Sequence, residues 1–216
     1  MLTGNSKRNV YLLPRYISNN MGDIISRYGY ICEFLKRDID SHFVVVTDNN
    51  NVLPDNKDRI TTIKPGVLKD LIPRLAQLKY CKSQNTVLWV AGHDLVDESS
   101  LFLIPHMMLN FLFYRICNMK IHIVAQGAGP ISSWISKIFI KIIFSIVTSA
   151  SFRDKESLQL IQKIVRKKHI KKCYLSADAA LLAVKNHKVL IKNKKSILGI
   201  NVRRWYHLNS FIPYEY

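Results

Sequence analysis

The 216-residue chain has no uncharged run of 18 residues, so no segment reads as a transmembrane helix. The nearest candidate, ISSWISKIFIKIIFSIVTSA (131–150), is interrupted by Lys137 and Lys141. These lysines share a side with Ser133 and Ser145. Trp134, Ile135, Ile138, Ile142 and Val147 lean the other way, so the spacing predicts an amphipathic, mostly buried helix. No signal peptide is expected either, because the opening MLTGNSKRNVYLLP has too short an apolar run before Pro14 and Arg15. Nor is there a C-x-x-C pair. Cys32, Cys81, Cys117 and Cys173 are scattered beside apolar residues, which predicts buried, reduced thiols and no zinc or other metal site. Internal repeats and low-complexity linkers are also absent. The reading is a folded cytoplasmic protein, with 48% hydrophobic residues available for a core.

The second half of the chain lacks acids. Residues 1–100 hold 13 Lys/Arg against 11 Asp/Glu, whereas residues 101–216 hold 19 against 4. Between Lys163 and Lys195 there are 11 basic residues and one acid, Asp178. A field of this sign attracts anions: nucleic acid, acidic lipid headgroups or phosphorylated substrates. The alternative is compositional, since the chain is also rich in Asn and Ile. Aromatic residues are not interleaved with the lysines, which argues against a single-strand nucleic-acid platform, and no nucleic-acid partner is expected.

What is present is an alternation of short apolar runs and longer amphipathic ones. Strands are predicted over 9–14, 42–47, 59–63, 86–92, 120–126, 173–177 and 196–202. Helices are predicted over 22–38, 67–80 (with Pro73 inside), 99–118 (punctuated by Pro105), 132–148 and from Asp154 onward, with a short run TSASF at 148–152. This order predicts an α/β fold: a Rossmann-like, mostly parallel sheet with helices on both faces. In such sheets ligands bind beyond the carboxyl ends of the strands.

Four strand ends carry informative residues. Asn20 and Gly22-Asp23 lie between the first strand and its helix, and Asp23 is expected to cap that helix, either as structure alone or leaving backbone N–H groups to face an anion in the crevice. In WVAGHDLVDESS, Gly92 permits a tight exit, and His93, Asp94, Asp97 and Glu98 crowd one loop. Their spacing matches no standard metal set, and Asp97 or Ser99 is expected to cap the next helix. IHIVAQGAGPISSW offers Gly127-x-Gly129 but has Pro130 and Ser132 where a dinucleotide fingerprint wants a backbone N–H and a third glycine. In SFRDKESL, Arg153 either pairs with Asp154 or faces an anionic ligand, and Asp154 and Ser157 sit at the helix opening.

The order of these motifs is recognisable: Asn20-Met21-Gly22-Asp23, Gly92 with Asp97 downstream, and Gln126-Gly127-Ala128-Gly129-Pro130. Phe152-Arg153-Asp154-x-x-Ser157, Ser176-Ala177-Asp178-Ala179 and Gly199-Ile200-Asn201-Val202-Arg203 follow. From roughly Asn9 to Trp205 the chain resembles the polysaccharide pyruvyl transferase family. The resemblance implies two facing Rossmann-like units of the glycosyltransferase-B type. One would span about 9–183, and a second, largely missing one would start at about 184–216. It implies transfer of a pyruvyl group from phosphoenolpyruvate to sugar hydroxyls of an envelope polysaccharide or exopolysaccharide, or of its lipid-linked precursor, with no cofactor besides the donor.

Asn20, Gly22, Asp23, Gly92, Gln126, Gly127, Gly129, Arg153, Ser157 and Arg203 are the substrate-binding residues so implied, with Arg153 and Arg203 as anion clamps. The family's catalytic histidine and further arginines are expected in the missing unit. Here only His93 and His207 stand as candidates by location, and the catalytic group is open. The family's glycine run is replaced by Ala91-Gly92-His93. A nucleotide-sugar glycosyltransferase of related architecture, or a truncated non-catalytic remnant, are the alternative readings. Peripheral contact with an anionic membrane would suit a lipid-linked acceptor.

Overall fold

The computed structural model describes residues 9–15, 20–47, 53–56, 58–64, 79–80, 82, 85–98 and 100–186. Seven strands build one sheet: β1 (Asn9–Leu13), β2 (Ser41–Val46), β3 (Ile60–Ile63), β4 (Thr86–Val90), β5 (Lys120–Gln126), β6 (Ser149–Phe152) and β7 (Cys173–Leu175). Their order is β3-β2-β1-β4-β5-β6-β7 and every pairing is parallel. The chain winds outward from β1 in one direction and from β4 in the other. The topological switch point, where such sheets open a crevice, therefore lies between β1 and β4.

Six helices are described: α1 (Met21–Arg37), α2 (Leu103–Ile116), α3 (Trp134–Ile146), α4 (Lys155–Ile164), α5 (Lys167–Ile170) and α6 (Ala180–Asn186). Parallel strands buried on both faces should read as near-continuous apolar runs, as HFVVV and VLWV do. Along these strands alternate residues go to opposite cores. Leu12, Val44, Val87, Trp89 and Ile121 pack with Phe111, Tyr114, Ile140, Phe144 and Ile161 from α2, α3 and α4. Leu13, Phe43, Val45, Leu88 and Val90 pack on the other face with Ile31 of α1, against which α6 is laid. The sheet thus has helices on both faces, as the alternation of elements predicts.

Local chemistry sets the helix ends. Asn20 rather than Asp23 caps α1, accepting from Gly22 N at 3.0 Å, because Asp23 lies inside the first turn and turns to Arg15. Ser133 caps α3 by accepting from Ile135 N at 3.2 Å. Arg59 ties the end of α1 to β2, donating to the carbonyls of Leu35, Asp38 and Ser41.

Several expectations need correction. The helix predicted over 99–118 starts at Leu103, which leaves Pro105 in the first turn, where its missing N–H costs nothing. In α3 the buried residues are Ser136, Ile140, Ile143 and Phe144, whereas Trp134, Ile135 and Ile138 are exposed beside the lysines. Apolar residues occupy nearly every position of α3, so the two lysines mark the outside without assigning the rest to the inside. Of the cysteines, Cys173 is buried, but Cys32 and Cys117 are only half-buried. The last residues of the predicted strand 173–177 leave the sheet at Ser176. The helix 67–80, the strand 196–202, Cys81 and the second unit fall largely or wholly outside the described residues.

Candidate functional site

The carboxyl ends of β4, β5 and β6 are drawn into a single loop system by backbone hydrogen bonds. Gly127 N donates to Gly92 O at 3.0 Å, Gly129 N to Leu95 O at 2.8 Å, Asp97 N to Pro130 O at 3.2 Å, and Arg153 N to Gln126 O at 3.3 Å. The Gly129–Pro130 peptide is cis. Asp97 does not cap α2. Its carboxylate accepts from Ser132 N at 3.0 Å and Ser133 N at 2.8 Å, fastening the loop after β5 instead. Ser99 lies outside the described residues.

Within this frame Arg153 occupies the centre of one charged cluster. Its Nη1 lies 3.3 Å from Asp178 Oδ2, its Nε 3.7 Å from Asp154 Oδ2, and its Nη2 3.5 Å from His93 Nδ1. The opposite ring nitrogen, His93 Nε2, bonds the Gly129 carbonyl. A carbonyl can only accept, so this nitrogen carries the hydrogen and Nδ1 presents its lone pair to the guanidinium. Gly127 makes room for the pair: a Cβ there would stand 2.6 Å from His93 Nδ1 and 3.0 Å from Arg153 Nη2. Asp178 is itself held by Ser26 Oγ at 3.4 Å and by Ala180 N at 2.9 Å.

Asp154 caps α4 by accepting from Ser157 N at 2.7 Å. Burial works against its charge, but the Ser157 hydrogen bonds and Arg153 outweigh it and hold the carboxyl below its ordinary value. Ser157 Oγ, buried, accepts from Ala128 N at 2.8 Å and so locks the glycine loop to α4.

A second cluster occupies the switch point between β1 and β4. Arg15, just past β1, bridges Asp23 of α1 at 3.2 Å and Asp94 at 2.9 Å. Trp89 Nε1 donates to the same Asp94 carboxylate at 2.8 Å. Burial disfavours the Arg15 charge, yet the two carboxylates more than offset it and its pKa rises. Arg27 is fully buried beneath, donating to Arg15 O at 2.7 Å. Burial, followed by the nearby Arg15 charge, lowers its pKa to about 9. Gly92, at φ +99°, presses on this group, since a Cβ there would come within 2.7 Å of Arg15 Nη1.

Consecutive residues therefore serve different arginines: His93 faces Arg153 and Asp94 faces Arg15. Gln126, at the end of β5, is fully buried, and neither atom of its amide has a partner among the described residues.

Of the sequence-predicted residues, Gly92, His93, Gln126, Gly127, Gly129, Arg153 and Ser157 converge on the loops beyond β4, β5 and β6. Asp23 belongs to the second cluster, while Asn20 and Gly22 form the α1 cap. Arg203 and His207 lie outside the described residues. Sequence reading missed Arg15 and Arg27. Their only trace was position, just past β1 and inside the helix that follows. Among the described residues no three His, Cys, Asp or Glu side chains are grouped so as to hold a metal ion.

Fold and site together define a doubly wound α/β protein whose strand ends gather arginines, carboxylates and a glycine loop. The polysaccharide pyruvyl transferase family matches residues 20–216, and the chain belongs to that family. Comparison with curated proteins and with solved structures gives no match.

Proposed function

We propose that the chain transfers a pyruvyl group from phosphoenolpyruvate to two hydroxyls of a sugar in an envelope polysaccharide or its lipid-linked precursor. The observation that carries this reading is the placement of Arg153 at the junction of three strand ends, with Nη1 paired with Asp178, Nε facing Asp154 and Nη2 against His93 Nδ1. A planar guanidinium held in this way offers its remaining N–H donors to a carboxylate or phosphate. Phosphoenolpyruvate carries both groups.

The reaction needs a proton delivered to the methylene carbon, which leaves an oxocarbenium-like centre at C2. One sugar hydroxyl adds there and a second displaces phosphate, so the two hydroxyl protons end on the methyl group and on the phosphate. Fixed cations stabilise the departing charge and an acid–base group moves the protons. In this reading His93 positions Arg153 rather than moving protons, because both of its ring nitrogens are committed. Gly127 and Gly129 allow the loop to approach the donor. Gln126 would turn its unpartnered amide to the donor, and Arg203 would supply a second clamp. The donor is the only small molecule required, and the enzyme works in the cytoplasm, where phosphoenolpyruvate is at hand.

The test is to incubate the protein with phosphoenolpyruvate and a polysaccharide acceptor, measuring phosphate release and the pyruvate ketal. Release of both supports the assignment. Absence of both in folded protein, with binding of a nucleotide-sugar in place of phosphoenolpyruvate, replaces it with glycosyl transfer.

A further inference from the structure

Between Glu98 and Asp154 the sequence contains no Asp or Glu, yet it holds Arg115, Lys120, Lys137, Lys141 and Arg153. This stretch supplies α2 and α3, which pack side by side on one face of the sheet. An outer helix normally turns a polar stripe to solvent. Here α2 turns His106 and the buried Asn110 to each other. Its outward stripe, counted from the N-cap residue Phe102, runs through Phe102, Leu109 and Ile116 at seven-residue intervals, 82%, 48% and 84% exposed. On α3 the outward residues are Trp134, Ile135 and Ile138, with Trp134 70% exposed. Lys137 and Lys141 lie along the same side, and Arg115 stands beside Ile116. The two helices are 14 and 13 residues long, too short to cross a hydrocarbon core that needs about 20. No described helix is long and apolar enough to cross a membrane.

We propose that the outer face of α2 and α3 is a docking surface for an anionic lipid bilayer, on which the protein lies with these apolar side chains inserted at headgroup depth. Charge complementarity selects the occupant. Two copies meeting through this face would bring Arg115, Lys137 and Lys141 of each against those of the other, and no acid on the face could pair them. A bilayer with acidic headgroups supplies that charge, and Trp, Phe and Ile with flanking lysines suit the boundary between headgroups and acyl chains. The geometry also bears on access. Phe102 and Trp134 open their helices at the end of the sheet where the strands' carboxyl ends lie. The surface therefore reaches the rim of the crevice, and a sugar carried on a lipid anchor would arrive there. The docking surface does not depend on the identity of the donor, and its test is independent of transfer.

The experiment is co-sedimentation of the full chain with phosphatidylcholine vesicles, with and without phosphatidylglycerol, at low and high salt. Far-UV circular dichroism and thermal melts of each variant serve as controls for folding. Binding is expected only with phosphatidylglycerol present, and brominated lipids should quench tryptophan fluorescence in wild type but much less in Trp134→Phe. Lys137→Glu/Lys141→Glu should lower partitioning by more than about tenfold. Lys167→Glu/Lys168→Glu, with the same change in net charge but on α5, should lower it much less. Equal losses from the two charge reversals would overturn the proposal, as would unchanged quenching in Trp134→Phe. A dimer in light scattering that Trp134→Ser abolishes would assign the face to a second copy and overturn it as well.

Discussion

Arg153 Nη2 stands 3.5 Å from His93 Nδ1 although 60 residues separate them in the chain. The approach is possible because the residue between the two groups, Gly127, has no side chain. A histidine that donates to a carbonyl with one nitrogen and offers its lone pair to a guanidinium with the other is an orienting group. Asp178 completes the arrangement from the opposite side.

Gly127→Ala is expected to separate this pair, since the new methyl would sit 2.6 Å from the imidazole and 3.0 Å from the guanidinium. Phosphoenolpyruvate affinity measured by calorimetry should fall by about tenfold or more, the scale of one lost charged hydrogen bond. The melting temperature should move little, because Arg153 is partly exposed. Unchanged affinity would show that the loop yields without moving Arg153.

The second arginine cluster answers to a different measurement. Asp94 holds Arg15 and also accepts from Trp89 Nε1 in a mostly buried setting. Asp94→Ala removes one partner of a largely desolvated pair and is expected to cost about 3–5 kcal/mol, read from the urea midpoint. A loss below about 1 kcal/mol would class the pair with ordinary surface ion pairs.

Gln126 tests a conflict between stability and binding. Its buried amide is unpartnered among the described residues, and a polar group left so costs about 1–3 kcal/mol. Gln126→Met should therefore keep or raise stability in urea while weakening phosphoenolpyruvate binding. Lower stability would mean that the amide is satisfied in solution.

The fold was largely legible because strand and helix periods differ and the strands are apolar on both faces. HFVVV and VLWV admit no other reading once Asn, Asp, Gly and Pro bound them. The helix faces were less legible. In α3 the sequence ISKIFIKIIF has apolar residues at nearly every angle, so its outside had to come from packing. Arg153 was legible by position, past a strand and beside a helix cap. Its partners were not, because Asp178 and His93 are distant in sequence and meet it only through the order β4-β5-β6-β7. Arg15 and Arg27 carried no motif at all. Their place at the β1–β4 switch point, with Arg27 buried beneath Arg15, is a product of topology.

A pH dependence follows from His122, which is half-buried on β5 and bonded to Ser149 Oγ at 2.7 Å. Burial, helped by Lys120, holds its pKa below the ordinary value. The unfolded chain then binds the proton more readily than the folded one. This contribution to stability is present above the ordinary histidine pKa of about 6.5 and is lost as pH falls toward the lower folded value. Urea midpoints should decline across that interval in wild type and decline less in His122→Gln. Parallel curves would remove His122 as the source.

The most direct measurement is the affinity of the full chain for phosphoenolpyruvate, by calorimetry, in wild type, Arg153→Ala and Arg153→Lys. Wild-type binding that is lost in Arg153→Ala and not restored by lysine, which lacks the planar fork, is the expected result. Wild-type affinity retained in Arg153→Ala, with the fold intact by circular dichroism, would contradict the placement of the donor beside His93 and Arg153.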